Sequence, residues 1–162
     1  MKAFRWMLAA AVVGTMCLVS WQAFPATTKT PKEIVFLDFK TGMQLQKKLN
    51  KPTMIHFTTT WCGWCRKLEK EVYTVPEVIE MSRNFVCIQV DGDKLPEACA
   101  HYKVRGYPTI VFTDAKRNEV HRIPGYMPAE GFLAQMKAAL AKTGAADAAK
   151  KDSEKEETKK EE

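Results

Sequence analysis

Several residue patterns that define other classes of protein are missing from this chain of 162 residues. It has one closely spaced cysteine pair, Cys62 and Cys65, and its three histidines show no ligand spacing. A structural zinc site, which needs four ligands, is therefore disfavoured. Arg66 stands where a c-type haem motif requires histidine, so haem attachment is excluded. The basic residues are interleaved with acids and form no stripe with aromatics, which argues against nucleic-acid binding.

The chain also lacks an apolar run long enough to be a clear membrane span. Residues 6–21 carry no charge, whereas a spanning helix needs about 20 apolar residues. Lys2 and Arg5 precede this run, and a basic start followed by a short apolar run is typical of an export signal. No tidy cleavage site follows, so two alternatives stay open. Residues 1–26 are a cleaved signal peptide, or they stay as an N-terminal anchor that brings the protein to a membrane.

The rest of the chain divides into a linker, a domain and a tail. Residues 27–32 are rich in Thr, Lys and Pro, which indicates a linker. Residues 33–142 alternate between apolar patterns typical of strands and of helices. Residues 143–162 contain no large apolar side chain. Such a segment cannot bury enough surface to offset the entropy lost on ordering, so we predict a disordered charged tail.

The predicted order of elements in the domain is strand, helix, strand, helix, strand, strand, helix. The runs at 53–59 and 85–91 are continuous and β-prone, as in strands that are buried on both faces. Parallel strands joined by helices and followed by a hairpin predict an α/β sandwich with a mixed central sheet flanked by helices. Residues 33–39 are expected to form a short strand or an extended arm.

The stretch HFTTTWCGWCRKLEKEVY places Cys62 and Cys65 between a predicted strand and a predicted helix. A disulfide between them would add little as a structural staple, because the benefit grows with loop length. At a helix start, the Cys62 sulfur faces unpaired N–H groups and the positive end of the helix dipole, which favours the reactive thiolate. Cys65 lies one turn further, near enough to form a disulfide, and Trp61 offers an apolar wall. The pattern predicts a redox pair.

These residues resemble a known family. The motif TWCGWC after an apolar strand, VRGYPTIVF about forty residues later and Gly125 in the late hairpin are similar to the thioredoxin superfamily, in particular to exported bacterial proteins with a Trp-Cys-Gly-Trp-Cys site. The resemblance covers about residues 33–142. It implies a thioredoxin fold and a periplasmic thiol–disulfide oxidoreductase, of reductase or interchange type, that acts on protein disulfides. It implies no cofactor and no metal, and it requires an unidentified electron donor or acceptor.

The resemblance also implies roles for individual residues. Cys62 matches the attacking cysteine and Cys65 the resolving one. Pro108 matches a proline that follows a cis peptide bond and turns the backbone of Tyr107 toward the substrate chain. The dipeptide between the cysteines tunes the redox potential. The predicted substrate groove consists of Trp61, Gly63, Trp64, Tyr107, Pro108 and Gly125.

One position departs from the family's pattern. Many thioredoxins carry a buried Asp six residues before the attacking cysteine, where it helps to move the proton of the resolving cysteine; this chain has His56 there. Two interpretations stay open. His56 is a hydrogen-bonded core residue, or its neutral imidazole accepts the proton of Cys65. A cationic His56 would make the pair more oxidising.

For the two remaining cysteines of the domain, and for the class of function, more than one interpretation stays open. Cys87 fits a small apolar core residue and Cys99 lies on a short predicted helix; two buried free thiols are favoured over a disulfide between them. The domain could be a binding or chaperone module for unfolded or partner chains without redox turnover, but the intact pair of Cys62 and Cys65 argues against that. A third alternative is that the protein delivers a metal ion bound by the same two sulfurs. The direction of electron flow and the oligomeric state stay open.

Overall fold

The computed structural model describes residues 33–157 and the side chains of residues 33–144. The predicted signal or anchor and the predicted linker lie outside the described residues, as do residues 158–162 of the predicted tail. Within the described range, five helices and four strands follow one another. Their bounds are α1 (Phe39–Leu49), β1 (Thr53–Thr58), α2 (Gly63–Glu71), α3 (Pro76–Ser82), β2 (Val86–Asp91), α4 (Pro96–His101), β3 (Thr109–Thr113), β4 (Glu119–Pro124) and α5 (Ala129–Glu157).

The four strands form one mixed sheet in the order β2-β1-β3-β4. Strand β1 runs parallel to β2 and antiparallel to β3, and β4 returns antiparallel to β3 as a hairpin. The helices lie on both faces of this sheet, which confirms the predicted α/β sandwich. Strand β1 lies between β2 and β3. Its carboxyl end, which leads to Cys62, therefore has a strand on each side.

Strand β1 is buried on both faces because its side chains alternate between two hydrophobic cores. Met54 packs into the core under α2, α3 and α5, which includes Leu68 and Phe132. Ile55 and Phe57 pack into the other core, under α1 and α4. The strand that leads to the cysteine pair is therefore held from both sides.

Local sequence signals explain where the helices begin and end. The Asp38 side chain accepts a hydrogen bond from the backbone N–H of Thr41 at 2.9 Å and caps α1. Asn50 ends α1 in the left-handed conformation, with φ of 49°. Pro76 and Pro96 stand at the first positions of α3 and α4, where their missing N–H leaves no helical hydrogen bond unmade.

The segment before α1 and the end of α5 are where the structure adds most to the elements predicted from the sequence. The segment before α1 is an extended arm rather than a strand: Leu37 forms one isolated parallel bridge with Ile88. Helix α5 continues to Glu157, past residue 143 where the sequence predicts the tail to begin. The Ala, Lys and Glu that dominate this region have high helix propensity, which an argument based on missing large apolar residues does not weigh. In the described part of the chain, no helix is both long and apolar enough to cross a membrane.

Candidate active site

Cys62 and Cys65 form a disulfide at the start of α2, with their Cα atoms 5.3 Å apart. Cys62 is the N-cap residue of the helix, and its sulfur accepts a hydrogen bond from the backbone N–H of Cys65 at 3.1 Å. The Cys62 side chain thus takes one of the N–H groups that a helix start leaves unpaired. The same N–H and the helix dipole would stabilise negative charge on this sulfur once the disulfide is opened.

Both cysteines are buried. Cys62 is 5% exposed and Cys65 is 1% exposed. Cys62 is thus slightly more exposed than Cys65, and the attacking and resolving roles of the two cysteines stay predictions. Between them, Gly63 is exposed, and a Cβ there would meet only Arg66, at 3.9 Å. Nothing in the structure requires glycine at this position.

Two tryptophans flank the disulfide on the surface. Trp61 is 66% exposed and Trp64 is 58% exposed. The indole of Trp61 meets the ring of Tyr107 edge-on, with centroids 5.9 Å apart, and its Nε1–H donates to Oδ2 of Asp93 at 3.0 Å. Trp61 is therefore fixed against the loop before β3, and it forms part of an open aromatic surface rather than an enclosed wall.

Trp64 belongs to a second cluster that joins α2 to the segment after β4. Its ring lies 5.5 Å from that of Tyr126. The Lys67 ammonium lies over both rings, 5.3 Å from the centroid of Trp64 and 4.9 Å from that of Tyr126. The hydroxyl of Tyr126 donates to Glu71 at 2.8 Å, and this hydrogen bond raises the pKa of the tyrosine. The cluster positions Trp64 beside the cysteine pair.

A groove of about 630 Å³ runs beside this aromatic surface and contains the predicted proline. The Tyr107–Pro108 peptide bond is cis, as the resemblance implies. Gly125 has φ of +103°, a conformation that favours glycine, and its N–H donates to the Pro108 carbonyl at 2.8 Å. Tyr107, Pro108 and Gly125 all line the groove.

The phenol of Tyr107 is held by residues that the sequence pattern did not identify as part of the site. Its oxygen shares a hydrogen bond of 3.5 Å with the sulfur of Cys99, which with burial raises the pKa of Tyr107 to about 12. It also lies so close to Gly92 that a Cβ there would be 2.0 Å from the phenol oxygen. The only sequence signal was the turn Asp-Gly-Asp at residues 91–93. Asp93, the residue after Gly92 in this turn, accepts the hydrogen bond from Trp61.

His56 lies in β1, six residues before Cys62, and is fully buried. It points to the same face of β1 as Met54, the face covered by α2. Its ring lies 5.4 Å from that of Tyr73 and 6.0 Å from that of Phe36. Within the described residues neither ring nitrogen has a hydrogen-bond partner, so the interpretation as a hydrogen-bonded core residue lacks its hydrogen bond. Burial lowers the pKa of His56 to about 3, which keeps the imidazole neutral.

The other two cysteines of the domain are buried free thiols, as the sequence pattern favours. The sulfur of Cys87 lies 3.6 Å from the Ser82 carbonyl, and burial raises the pKa of this thiol to about 12. Such a thiol is unreactive at neutral pH. Among the described residues, no three His, Cys, Asp or Glu side chains are grouped as a metal site.

Comparisons with known proteins agree with this geometry. A family profile described as a thioredoxin-like domain matches residues 39–140. The chloroplastic thioredoxin-like protein HCF164 of Oryza sativa subsp. japonica is 35% identical over 83 residues, 51% of this chain and 32% of that protein. The thiol:disulfide interchange protein DsbD of Escherichia coli strain K12 is 33% identical over 143 residues, 81% of this chain and 25% of that protein.

Solved structures agree as well. A thioredoxin from Thermus thermophilus superposes with a TM-score of 0.65 at 26% identity, covering 71% of this chain and 93% of that one. The curated relatives are much longer than the matched region, which spans 32% of HCF164 and 25% of DsbD.

Proposed function

Because this chain belongs to the thioredoxin-like domain family, we propose that it is a thiol–disulfide oxidoreductase that reduces or exchanges disulfides of other proteins through Cys62 and Cys65. The observation that carries the proposal is the disulfide at the start of α2, in which the Cys65 N–H donates to the Cys62 sulfur at 3.1 Å. This arrangement stabilises a thiolate at Cys62 and keeps the second sulfur within bonding distance of it.

In the reducing direction, the Cys62 thiolate attacks one sulfur of a substrate disulfide. A mixed disulfide forms, and the first substrate sulfur leaves as a thiolate that takes up a proton. The Cys65 sulfur then loses its proton and attacks Cys62, which releases the second substrate thiol and forms the Cys62–Cys65 disulfide. Two electrons pass to the substrate, so a dithiol or another electron donor must restore the reduced pair. The oxidising direction reverses these steps.

His56 is the proposed acceptor of the Cys65 proton. It lies on the face of β1 that α2 covers, and its neutral ring has a nitrogen lone pair available. A base with a pKa of about 3 is weak at neutral pH, because general bases work best when their pKa is near the working pH. A proton received from Cys65 would leave an ion pair with the new thiolate, and this attraction offsets part of the cost of charging a buried imidazole.

Substrate binding is assigned to the groove beside the disulfide. The resemblance implies that an extended substrate segment pairs with the backbone of Tyr107, next to Pro108. The exposed rings of Trp61 and Trp64, which adjoin the cysteines in the sequence, would supply apolar contact. Such aromatic surface is common at protein–protein contacts. We place the protein in the bacterial periplasm, on the basis of the basic and apolar start of the sequence.

Reduction of insulin disulfides tests the proposal. Wild-type protein, recycled by dithiothreitol, should accelerate insulin precipitation, and Cys62→Ser should abolish the acceleration because no thiolate attacks the substrate. Cys87→Ala removes a buried, unreactive thiol and is the matched control, which should retain activity. Equal activity of Cys62→Ser and wild type would contradict the proposal and would favour the binding module.

A further inference from the structure

The substrate groove continues into a surface with an excess of positive charge. Besides Tyr107, Pro108 and Gly125, its lining includes Lys103 and Arg105 from the loop after α4, together with Arg122 and Glu119 from β4. Three cations thus face one carboxylate. Their positions in the sequence are separated by acids and apolar residues, and folding brings them to one side of the groove.

The charges in this groove are not equally available. Arg122 is bound on three sides: its guanidinium donates to both carboxylate oxygens of Glu119, at 2.7 and 2.6 Å, and to the Tyr102 carbonyl at 2.6 Å. Lys103 and Arg105 are exposed, and neither forms an ion pair with another described residue. The groove therefore offers two cationic side chains whose charge no carboxylate of the described chain neutralises.

These two cations lie on the path that a substrate chain would follow. Tyr107 lies within five residues of both cations in the sequence, and its ring contacts Trp61, the residue before the attacking cysteine, at 5.9 Å. Lys103 and Arg105 line the same groove as Tyr107 and Pro108, so a segment bound against Pro108 lies in the groove that carries the two cations. An extended chain advances about 3.3 Å per residue, so residues close in sequence to the substrate cysteine reach this region.

We propose that Lys103 and Arg105 select substrate proteins in which acidic residues flank the reactive cysteine. The proposal rests on the proposed function and names its substrate class. Carboxylates are the complementary group, because guanidinium binds them through paired hydrogen bonds and ammonium attracts them as a point charge. Charge pairing of this kind acts on encounter and on register, so it should depend strongly on salt.

Two matched peptide substrates test this selection. Each is a disulfide-linked dimer, one with Asp and Glu beside the cysteine and the other with Asn and Gln at the same positions. Pre-reduced protein should reduce the acidic peptide about fivefold faster than the neutral one at low salt, as two exposed ion pairs of typical strength allow. Rates with dithiothreitol correct for the effect of the flanking charges on the disulfide itself. In 1 M salt, where screening acts within about 3 Å, the preference should largely disappear.

Two double variants locate the effect. Lys103→Gln with Arg105→Gln should lose the preference, so that the corrected rates for the two peptides become equal. Lys47→Gln with Lys48→Gln removes the same charge from the last turn of α1, at the end of β1 opposite to the disulfide, and should retain the preference. Both variants change exposed side chains, and equal melting temperatures verify that they are folded.

The possible failures are distinguishable. If wild-type protein reduces both peptides at equal corrected rates, or if the Lys103 and Arg105 variant keeps the preference, the groove does not select acidic substrates and the oxidoreductase function stands. If wild-type protein reduces neither peptide nor insulin, the proposed function fails, and the selection proposal falls with it.

Discussion

Gly92 leaves room for the side chain of Tyr107, which lines the proposed substrate groove. Its N–H donates to the Thr58 carbonyl at 2.8 Å, which fixes the turn after β2 against the end of β1. In this position the phenol of Tyr107 occupies the space where a Cβ would be. The adjacent Asp93 accepts from Trp61. One turn therefore positions both rings of the Trp61–Tyr107 pair.

Replacing Gly92 with alanine should displace Tyr107. A Cβ would lie 2.0 Å from the phenol oxygen, and relief of such a clash typically lowers the free energy of unfolding by about 1–3 kcal/mol. Insulin reduction should also slow, because Tyr107 leaves the groove wall. Urea unfolding and the insulin assay measure the two effects. Gly106→Ala, where a Cβ meets no atom within 4 Å, is the control for stability and should change it by less than about 0.5 kcal/mol. A Gly92→Ala variant as stable as this control and as active as wild type would contradict the argument.

His56 is a buried base without a hydrogen bond among the described residues, and this makes stability depend on pH. In the folded protein burial lowers its pKa to about 3, against 6.5 for an ordinary histidine. Between these values the unfolded chain binds a proton that the folded protein excludes. The contribution of His56 is thus fully present above pH 6.5 and is lost progressively as the pH falls toward 3.

The variant His56→Leu should remove this dependence. Leucine fits the apolar surroundings of Phe36 and Tyr73 and leaves no unpaired nitrogen. As the pH falls from 6.5 toward 3, wild type should lose up to about 1.4 kcal/mol of unfolding free energy per pH unit relative to the variant. Urea unfolding of both proteins at pH 7.5, 6, 5 and 4 gives the difference. Parallel curves would mean that the folded protein protonates His56 as readily as the unfolded chain does.

At the scale of elements, helix α2 carries the cysteine pair at its start, with Cys62 as the N-cap residue and Cys65 in the first turn. Contacts along its exposed side hold the helix to the segment after β4. Lys67 and Glu71 lie one turn apart and both contact Tyr126, which follows β4. The ammonium of Lys67 also covers Trp64. Since β4 is one of the two edge strands of the sheet, this cluster connects the helix that carries the cysteines to the end of an edge strand.

Lys67→Ala should weaken this connection. Two partly exposed cation–π contacts are worth about 0.5–1 kcal/mol each, and the loss should lower the free energy of unfolding by about 1 kcal/mol. Lys70→Ala, on the same helix and also exposed, is the matched control because it removes a lysine outside the cluster. Thermal or urea unfolding compares the two variants. Equal stabilities would show that the ammonium makes no net contribution over the rings.

The elements could be predicted largely from the sequence, because their signals are local. The apolar runs of β1 and β2, the prolines that open α3 and α4, and the cysteine pair between a strand and a helix each act within a few residues. Contacts between distant segments could not be predicted. The phenol of Tyr107 meets Gly92 and Cys99, and nothing in their spacing indicates that contact.

At the scale of the whole molecule, the same limit applies to charge. In the sequence the cations alternate with acids, and this pattern indicated a surface without a basic stripe. Folding neutralises Arg122 with Glu119 and leaves Lys103 and Arg105 next to the groove. The charge of a surface depends on which side chains the fold brings to it. Here the loop after α4 and strand β4, which are apart in the sequence, line one groove.

The depth of the disulfide has a consequence for the kind of partner that can react. Cys62 is 5% exposed and Cys65 is 1% exposed, while Trp61 and Trp64 next to them stand out from the surface. A partner sulfur must therefore come past exposed rings to reach a buried one. Under the proposed function, we expect a thiol on a projecting, flexible segment to react faster than a thiol on a flat, rigid surface.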